Sequence, residues 1–394
     1  MSRSAARPGQ TPCVLIAHPS SDVYGADLQL LETVTGLADA GWRVHIVMPG
    51  PGSLDRLLEK RGVTPDFMTF PVLRRSALSA RGLARLSAQT IPATVRMHKL
   101  IRKLNPDVVY VNTVTIPWWL LAARTAGVGS VCHIHEAEDS DRRPLLLALN
   151  GPLTLSHRIV ANSRASMEAI VVPAPWLRRK LRLVYNGVEP PAIEPDLPPD
   201  GQPSFRLAIV GRLSPRKAQD VALEAVAALR ARGHDVSIDV CGTAFHGYEW
   251  YAEQLQARAQ QPDLLGAVRW RGYVSPVWPV LASVDAIVAP SLREPFGNAV
   301  VEAQLARRPV VASAALGHNE TIQHGVTGLL VTPGDPTEMA DSIERLITDR
   351  ALAESIAEAG LKSARADFSV DRYRADIVGV VADVARRQRP AAKI

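Results

Sequence analysis

The chain has 394 residues, 47% apolar and 21% charged, the balance of a folded protein long enough for two cores. That balance excludes a disordered chain, and no run approaches the roughly 18 apolar residues of a membrane-spanning helix. The formal charge of +6 is uneven, with 23 Lys/Arg against 13 Asp/Glu through Val188 and 22 against 26 beyond it, so the halves are expected to bind different partners.

Residues 1–12 are polar and lead straight into the apolar run 13–17. That run is too short for the apolar core of a secretory signal, so a cytoplasmic protein is expected. Short β-rich runs at 13–17, 44–48, 108–111, 130–135 and 158–161 alternate with helical patterns such as 27–40, where Leu28, Leu31, Val34 and Leu37 recur three residues apart. The alternation predicts an α/β fold with a parallel, doubly wound sheet. Cys13, Cys132 and Cys241 lie far apart beside Val/Ile-rich segments and read as reduced, buried strand residues.

Residues 189–203 carry six prolines and no apolar periodicity, which marks a semi-extended linker and a domain boundary. The alternation restarts with strands at 205–210, 237–241, 268–270, 286–289, 309–312 and 328–331 and helices over 219–232 and 298–306. Two doubly wound domains are therefore expected, at 13–188 and 204–369, with a ligand cleft at their strand ends. A last helix at about 370–387 is free to cross back and brace the first domain.

The densest chemical signal is Arg293-Glu294-Pro295-Phe296-Gly297-Asn298-Ala299-Val300-Val301-Glu302, which follows the strand 286–289 and opens a helix. Gly297 and Asn298 fall where the first amides of a helix lack partners, so those donors and the helix dipole favour a diphosphate there. Glu294 in the loop and Glu302 within the helix reach one ligand from different heights. Carboxylates suit sugar and ribose hydroxyls because they accept two hydrogen bonds in a fixed geometry. Two glutamates eight residues apart are by themselves usually solvated; the preceding strand and the Pro-Phe-Gly loop favour a ligand site. The second signal is Val210-Gly211-Arg212-Leu213-Ser214-Pro215-Arg216-Lys217. Gly211 lets the chain turn tightly at a strand end, and Arg212 and Lys217 can neutralise a leaving diphosphate, one as a bidentate fork and the other as a point charge. Alone, this turn is as readily a solvated basic loop.

With Pro309-Val310-Val311-Ala312-Ser313, Gly325-Val326-Thr327-Gly328-Leu329-Leu330-Val331 and Pro333-Gly334-Asp335, these motifs resemble the retaining family 4 glycosyltransferases of GT-B fold. Tyr24-Gly25-Ala26-Asp27, Val160-Ala161-Asn162-Ser163 and Val184-Tyr185-Asn186-Gly187-Val188 agree, and the resemblance runs over about 13–385, most specifically from Gly272 to Asp335. It implies two Rossmann-like domains facing across a cleft and transfer of a hexosyl unit, without metal or other cofactor, from a nucleotide-diphosphate sugar. The acceptor would be a glycan or a lipid-linked precursor of cell-envelope or polysaccharide synthesis. By the same resemblance Arg212 and Lys217 hold the donor diphosphate next to Gly211, Glu302 takes the ribose and Glu294 the transferred sugar. Phe296, Gly297 and Asn298 present backbone, and Tyr273 and Val274 sit near the base. Tyr24, Gly25 and Ala26 form the phosphate or acceptor loop, although the family often has two glycines where Gly25 stands alone.

In Val131-Cys132-His133-Ile134-His135-Glu136, strand alternation puts both histidines on one face. The family carries a histidine near the reacting sugar at this strand end, and His135 beside Glu136 matches it better than His133. An imidazole there can bond the sugar and steady charge at the anomeric carbon. Asp139-Ser140-Asp141 raises a divalent-metal alternative but reads as a solvated loop, so no metal is expected.

Residues 67–106 contain no acidic residue and eight cations, Arg74, Arg75, Arg81, Arg85, Arg96, Lys99, Arg102 and Lys103, interleaved with apolar side chains. Over 72–104 this suits either an anionic membrane at the inner face of the cytoplasmic membrane or a core helix with an Arg-rich face. No recognition motif accompanies the charge, so nucleic acid is not expected. A nucleotide-dependent oxidoreductase is disfavoured because neither a Gly-x-Gly-x-x-Gly loop nor a P-loop follows either first strand. The remaining alternative is a catalytically inactive nucleotide- or sugar-binding module with a membrane-facing basic surface.

Overall fold

Seven strands form the first sheet of the computed structural model: β1 (Cys13–Ala17), β2 (Arg43–Met48), β3 (Asp66–Phe67), β4 (Val108–Val111), β5 (Gly129–Ile134), β6 (Arg158–Ala161) and β7 (Leu181–Leu183). Their order is β3-β2-β1-β4-β5-β6-β7, and every pairing is parallel. The structure describes residues 11–23, 25–73, 80–136, 143–193, 196–197, 204–245 and 247–388. Tyr24, Arg74, Arg75, Asp139, Asp141 and much of the Pro-rich stretch lie outside these.

The strands read as unbroken apolar runs because both faces of a parallel sheet are covered. In β1, Val14 and Ile16 pack against Leu30, Val34 and Leu37 of the helix Gly25–Asp39. Leu15 and Ala17, on the opposite face, join Met97 and Ile101 of the helix Ala80–Leu104 and Trp119 of the helix Trp118–Ala126. The strand order reverses between β1 and β4, so the loops leaving their carboxyl ends diverge and open a crevice.

The helix Val370–Gln388 belongs to this unit, not to the one that precedes it in the chain. The Tyr373 hydroxyl lies 2.6 Å from Thr33 Oγ1 and donates to the Gln29 carbonyl at 3.1 Å. A Cβ on Gly36 would stand 2.8 Å from Arg374 Cβ, so only glycine lets the two helices approach this closely.

The second unit, Val188–Ser369, contains β8 (Phe205–Val210), β9 (Val236–Cys241), β10 (Val268–Gly272), β11 (Ala286–Ala289), β12 (Val310–Ser313) and β13 (Leu329–Val331). The order is β10-β9-β8-β11-β12-β13, again all parallel, with the reversal between β8 and β11. Leu207 and Ile209 bury against Leu223 and Val226 of the helix Gln219–Ala231, while Ala208 faces Val300 and Ala303 of the helix Asn298–Leu305. Buried Arg308 donates to the carbonyls of Leu281, Ala282 and Asp196 at 2.8–2.9 Å, the pairing a guanidinium needs away from water.

Candidate active site

The strand ends of the second unit are drawn together by glycines. Gly211 and Gly242 have φ of +153° and +149°, and a Cβ on Gly242 would fall 1.9 Å from the Gly211 carbonyl oxygen. The Gly211 amide donates to Cys241 at 2.9 Å and the Gly242 amide to Gly272 at 2.7 Å, which ties the ends of β8, β9 and β10 into one rim.

Lys217 is aimed by the turn beneath it. The buried Gln219 amide donates to the Arg212 carbonyl at 2.9 Å and accepts from Ser214 N–H at 3.4 Å, and Ala218 adopts the left-handed region at φ +51°. The Lys217 ammonium thereby donates to the Glu294 carboxylate, and Ser291 Oγ donates to the same oxygen at 3.3 Å. This pair sits where β8 and β11 diverge. A small cavity opens there, lined by Val210, Lys217, Ser291, Glu294, Gly297 and His318 among others.

The helix Asn298–Leu305 starts at that cavity. Gly297 precedes it at φ +102°, no side chain caps it, and a Cβ on Gly297 would lie 2.7 Å from His318 Cδ2. A Cβ on Gly317 would meet the Pro295 carbonyl at 2.4 Å, so the loops after β11 and β12 interlock. His318 is buried, with Nδ1 3.0 Å from the Ser313 carbonyl.

Two carboxyls of this site are driven apart. Burial pushes Glu294 up, but the charges of Lys217, His318 and Arg216 outweigh it and hold the group down to about 2. Burial pushes Glu302 up to about 7, with Lys217 pulling the other way. One carboxylate is thus fixed in charge and the other titrates near neutrality, a pattern found where ligands bind.

A polar chain occupies the crevice of the first unit, at the ends of β1 and β4. Asp27 Oδ1 lies 2.7 Å from His18 Nε2, His18 Nδ1 lies 3.0 Å from Asn112 Nδ2, and Asn112 Oδ1 lies 3.0 Å from His135 Nε2. The rings of His133 and His135 are 4.0 Å apart, as alternation requires, and His133 Nδ1 is 2.6 Å from the Tyr110 hydroxyl. Burial first, and the His18 charge second, push His135 down to about 3 against the pull of Asp27, so its ring is neutral.

The model of the glycosyl transferases group 1 matches residues 204–349, and that of glycosyltransferase family 4 matches residues 23–190. The chain belongs to the family 4 glycosyltransferases. The D-inositol 3-phosphate glycosyltransferase of Salinispora tropica is 33% identical over 49% of this chain, which spans only 41% of that relative's length. The enzyme of the same name from Stackebrandtia nassauensis is 26% identical over 95% of this chain and 91% of its own. HepE of Anabaena, solved with UDP and glucose, superposes with a TM-score of 0.80 over 94% of this chain and 99% of its own, at 23% identity. That likeness gives the fold, which is GT-B with two Rossmann-like units.

Within this glycosyltransferase the expected donor residues are distributed as follows. Gly211 closes the β8 turn, Lys217, Glu294 and Gly297 converge on one cavity, and Asn298 opens the helix beside it. Glu302, one turn further along, is half-buried and feels the Lys217 charge. Phe296 turns away from the cavity, buried edge-on against Phe368 at 5.4 Å. Arg212 is set over the Phe245 ring at 5.1 Å, towards the loop after β9. Tyr273 is half exposed after β10, followed by Val274. In the first unit Gly25 and Ala26 begin the helix that carries Asp27, and Tyr24 lies outside the described residues. His18, Asn112, Ser291, Gln219 and His318 were not anticipated. Each of His18 and Asn112 directly follows a strand at its carboxyl end, which is the signal that would have found them.

Among the described residues no group of three or more His, Cys, Asp or Glu is arranged to hold a metal ion. No helix among them is long and apolar enough to cross a membrane. On the helix Ala80–Leu104, Ile91 and Val95 are 73% and 49% exposed, one turn apart and followed by Lys99 and Arg102.

Proposed function

We propose that this chain transfers a sugar from a nucleotide-diphosphate donor to a glycan or lipid-linked acceptor, with retention of anomeric configuration and without a metal. The observation that carries this reading is the meeting of Lys217 with Glu294 at the β8/β11 reversal, beside the uncapped start of the helix Asn298–Leu305. A diphosphate in that cavity takes one charge from Lys217 and hydrogen bonds from the helix tip, which supplies the counter-charge a departing nucleoside diphosphate needs. Glu302 lies one turn deeper, where its carboxylate can take the two ribose hydroxyls. Glu294, held anionic, is suited to hydroxyls of the sugar. Among the described residues lining the cavity, the one hydroxyl beside a carboxylate is that of Ser291. It faces a Glu294 paired with Lys217 and held down to about 2, a poor base for activating a nucleophile, which favours attack by the acceptor on the face the leaving group vacates.

HepE binds UDP and glucose, and the relatives named above act on D-inositol 3-phosphate; both support a nucleotide-sugar donor and a hydroxylated acceptor here. The positive first half supports an anionic acceptor or membrane, and exposed Ile91 and Val95 beside Lys99 and Arg102 support contact with an anionic bilayer in envelope or polysaccharide synthesis.

The test is a panel of UDP-, GDP- and dTDP-sugars with a candidate acceptor mixture, following release of free nucleoside diphosphate and the product's anomeric configuration by NMR. Release that requires acceptor and yields the donor's own anomer supports the reading. Tight nucleotide binding without turnover of any donor refutes it in favour of an inactive binding module.

A further inference from the structure

Two acceptor atoms at the cavity of the second unit are left over once its hydrogen bonds are assigned. Lys217 Nζ and Ser291 Oγ both donate to Oε2 of Glu294, and among the described residues none donates to Oε1. Buried His318 has Nδ1 3.0 Å from the Ser313 carbonyl. A carbonyl only accepts, so Nδ1 carries the proton and, in a neutral ring, Nε2 presents a bare lone pair. Among the described residues none is hydrogen-bonded to that nitrogen. Burial pushes the ring down and outweighs the upward pull of the Glu294 charge and the Ser313 carbonyl, so His318 is uncharged at neutral pH and gains its proton only in acid.

Both acceptors border one small space. A Cβ built on Gly297 would stand 3.2 Å from His318 Nε2 and 3.6 Å from Glu294 Cγ, so glycine keeps open the room that any other residue would fill. The backbone fixes the two side chains around it: the Gly317 amide donates to the Glu294 carbonyl at 2.8 Å, and the His318 amide to the Ala315 carbonyl at 3.0 Å. In the same turn Leu316 sits in the left-handed region at φ +49°, which a bulky side chain avoids and which persists where the surrounding structure holds a turn rigid. The Ser313 carbonyl accounts for Nδ1; no contact of the fold accounts for Nε2.

We propose that His318 is a specificity-determining residue whose bare Nε2, beside Glu294 Oε1, accepts a hydrogen bond from one of two neighbouring hydroxyls of the transferred sugar. This deepens the glycosyl-transfer reading above and rests on it for the identity of the ligand.

Two open acceptors call for two donors, and adjacent hydroxyls of a sugar ring supply them in a fixed geometry. A deoxy position would leave one buried acceptor unpaired. A carboxylate or phosphate in the same place would set its charge against that of Glu294, which stays ionised down to about pH 2. The preferred donor therefore carries a neutral sugar with both hydroxyls intact.

The experiment titrates UDP-glucose, GDP-mannose and dTDP-glucose into the full chain by calorimetry. The donor that binds most tightly is then compared with its deoxyfluoro analogues at each ring hydroxyl, since fluorine cannot donate. In the wild type, two neighbouring positions should each cost about tenfold or more in kcat/KM. His318→Leu should lower kcat/KM for the parent donor by about tenfold and abolish discrimination at one of those positions while the other keeps it. His318→Gln returns an acceptor near the place of Nε2 and should recover part of that discrimination. Both variants should bind the nucleoside diphosphate, which lacks the sugar, nearly as the wild type does. Loss of diphosphate binding in step with turnover, or full discrimination at both positions in His318→Leu, overturns the proposal. Should neither variant fold, long-range ¹H–¹⁵N spectra of the histidine-labelled wild type decide. Nε2 of His318 should be bare in the free protein and shift with the sugar donor but not with the diphosphate alone; a proton on Nε2 overturns the proposal. Absence of sugar transfer by the wild type would instead sink the glycosyl-transfer reading, while the binding ratios of the same analogues still decide the role of His318.

Discussion

Replacing Glu302 with glutamine should make the protein more stable and a poorer binder of nucleotide. The carboxyl titrates at about 7 in the fold, against 4.5 for an exposed glutamate, because burial disfavours its charge. The folded state therefore holds the proton more tightly than the unfolded one. The stabilisation this gives is complete below about pH 4.5 and is lost as pH rises through 7. At about 1.4 kcal/mol per pH unit, ionising Glu302 costs the fold up to about 3 kcal/mol at pH 8. Glutamine has nearly the same shape and no charge, so Glu302→Gln should recover that stability at pH 8 and be neutral at pH 4. For a unit of this size the gain amounts to a rise of roughly 6–12 °C in the melting temperature of the second unit.

Binding should move in the opposite direction. A ribose diol donates to both oxygens of a carboxylate, whereas glutamine offers one acceptor and a competing N–H₂. At pH 8 the variant should bind the preferred nucleoside diphosphate about tenfold more weakly, the loss of one charge-assisted hydrogen bond. Wild-type affinity should fall below pH 7 and level off about tenfold lower, near that of the variant, because protons compete with the diol for the carboxylate, and the variant should show no such dependence. Scanning calorimetry and isothermal titration at pH 5 to 8 measure both quantities on the same samples. A variant that binds as tightly as wild type at pH 8 and whose affinity follows the same pH curve would refute the assignment of Glu302 to the ribose.

Lys217→Met should lower sugar transfer by about a hundredfold or more and leave Glu294 buried beside no ammonium. Glu294 is held down at about 2, so its pairing stabilises the fold above pH 4.5 and loses that effect as pH falls towards 2. The variant should accordingly unfold at a higher pH than wild type in an acid titration followed by circular dichroism; an unchanged midpoint would argue against the pair. Gly297→Ala places a Cβ 2.7 Å from His318 Cδ2 at φ +102° and should cost about 1–3 kcal/mol together with nucleotide binding, both visible in a thermal-shift assay. Ile91→Ser with Val95→Ser should leave melting unchanged and reduce flotation with anionic vesicles, if the exposed face of the helix Ala80–Leu104 meets a bilayer.

The fold class was legible because a parallel sheet writes itself as short, unbroken apolar runs. β1, β4, β6 and β11 carry the same residues that the run lengths mark. The short edge strands β3 and β7, two and three residues long, have no such signature and emerge only from pairing with β2 and β6. Local motifs were legible for the same kind of reason. The loop from Glu294 to Asn298 and the turn from Gly211 to Lys217 are contiguous in sequence, and their glycines occupy φ values that other residues avoid. What the motifs concealed was aim. Arg212 and Lys217 look equivalent in a basic turn, yet Gln219 grips the Arg212 carbonyl while the guanidinium lies on Phe245, and the Lys217 ammonium meets Glu294.

The polar chain from Asp27 to His135 was illegible for a deeper reason. No window of sequence holds two of its contacts, since position 18 meets 112 and position 112 meets 135 only after the sheet has formed. Register supplies the missing information: Ala17 pairs with Val111 and Val111 with Cys132, so the first residues beyond β1 and β4 must fall side by side and the end of β5 must flank them. In a parallel sheet every strand leaves by the same edge, and a polar residue placed just past the apolar run has nowhere to go except against its counterpart on the next strand. Strand order is the one quantity needed to turn such residues into a constellation. In the second unit the equivalent step, β8 next to β11, brings Lys217 to Glu294 across 77 positions of sequence. Both clusters therefore follow from one property of the chain: strand order reverses beside the first strand of each unit, and the polar residues that follow the two diverging strands collect where the sheet opens.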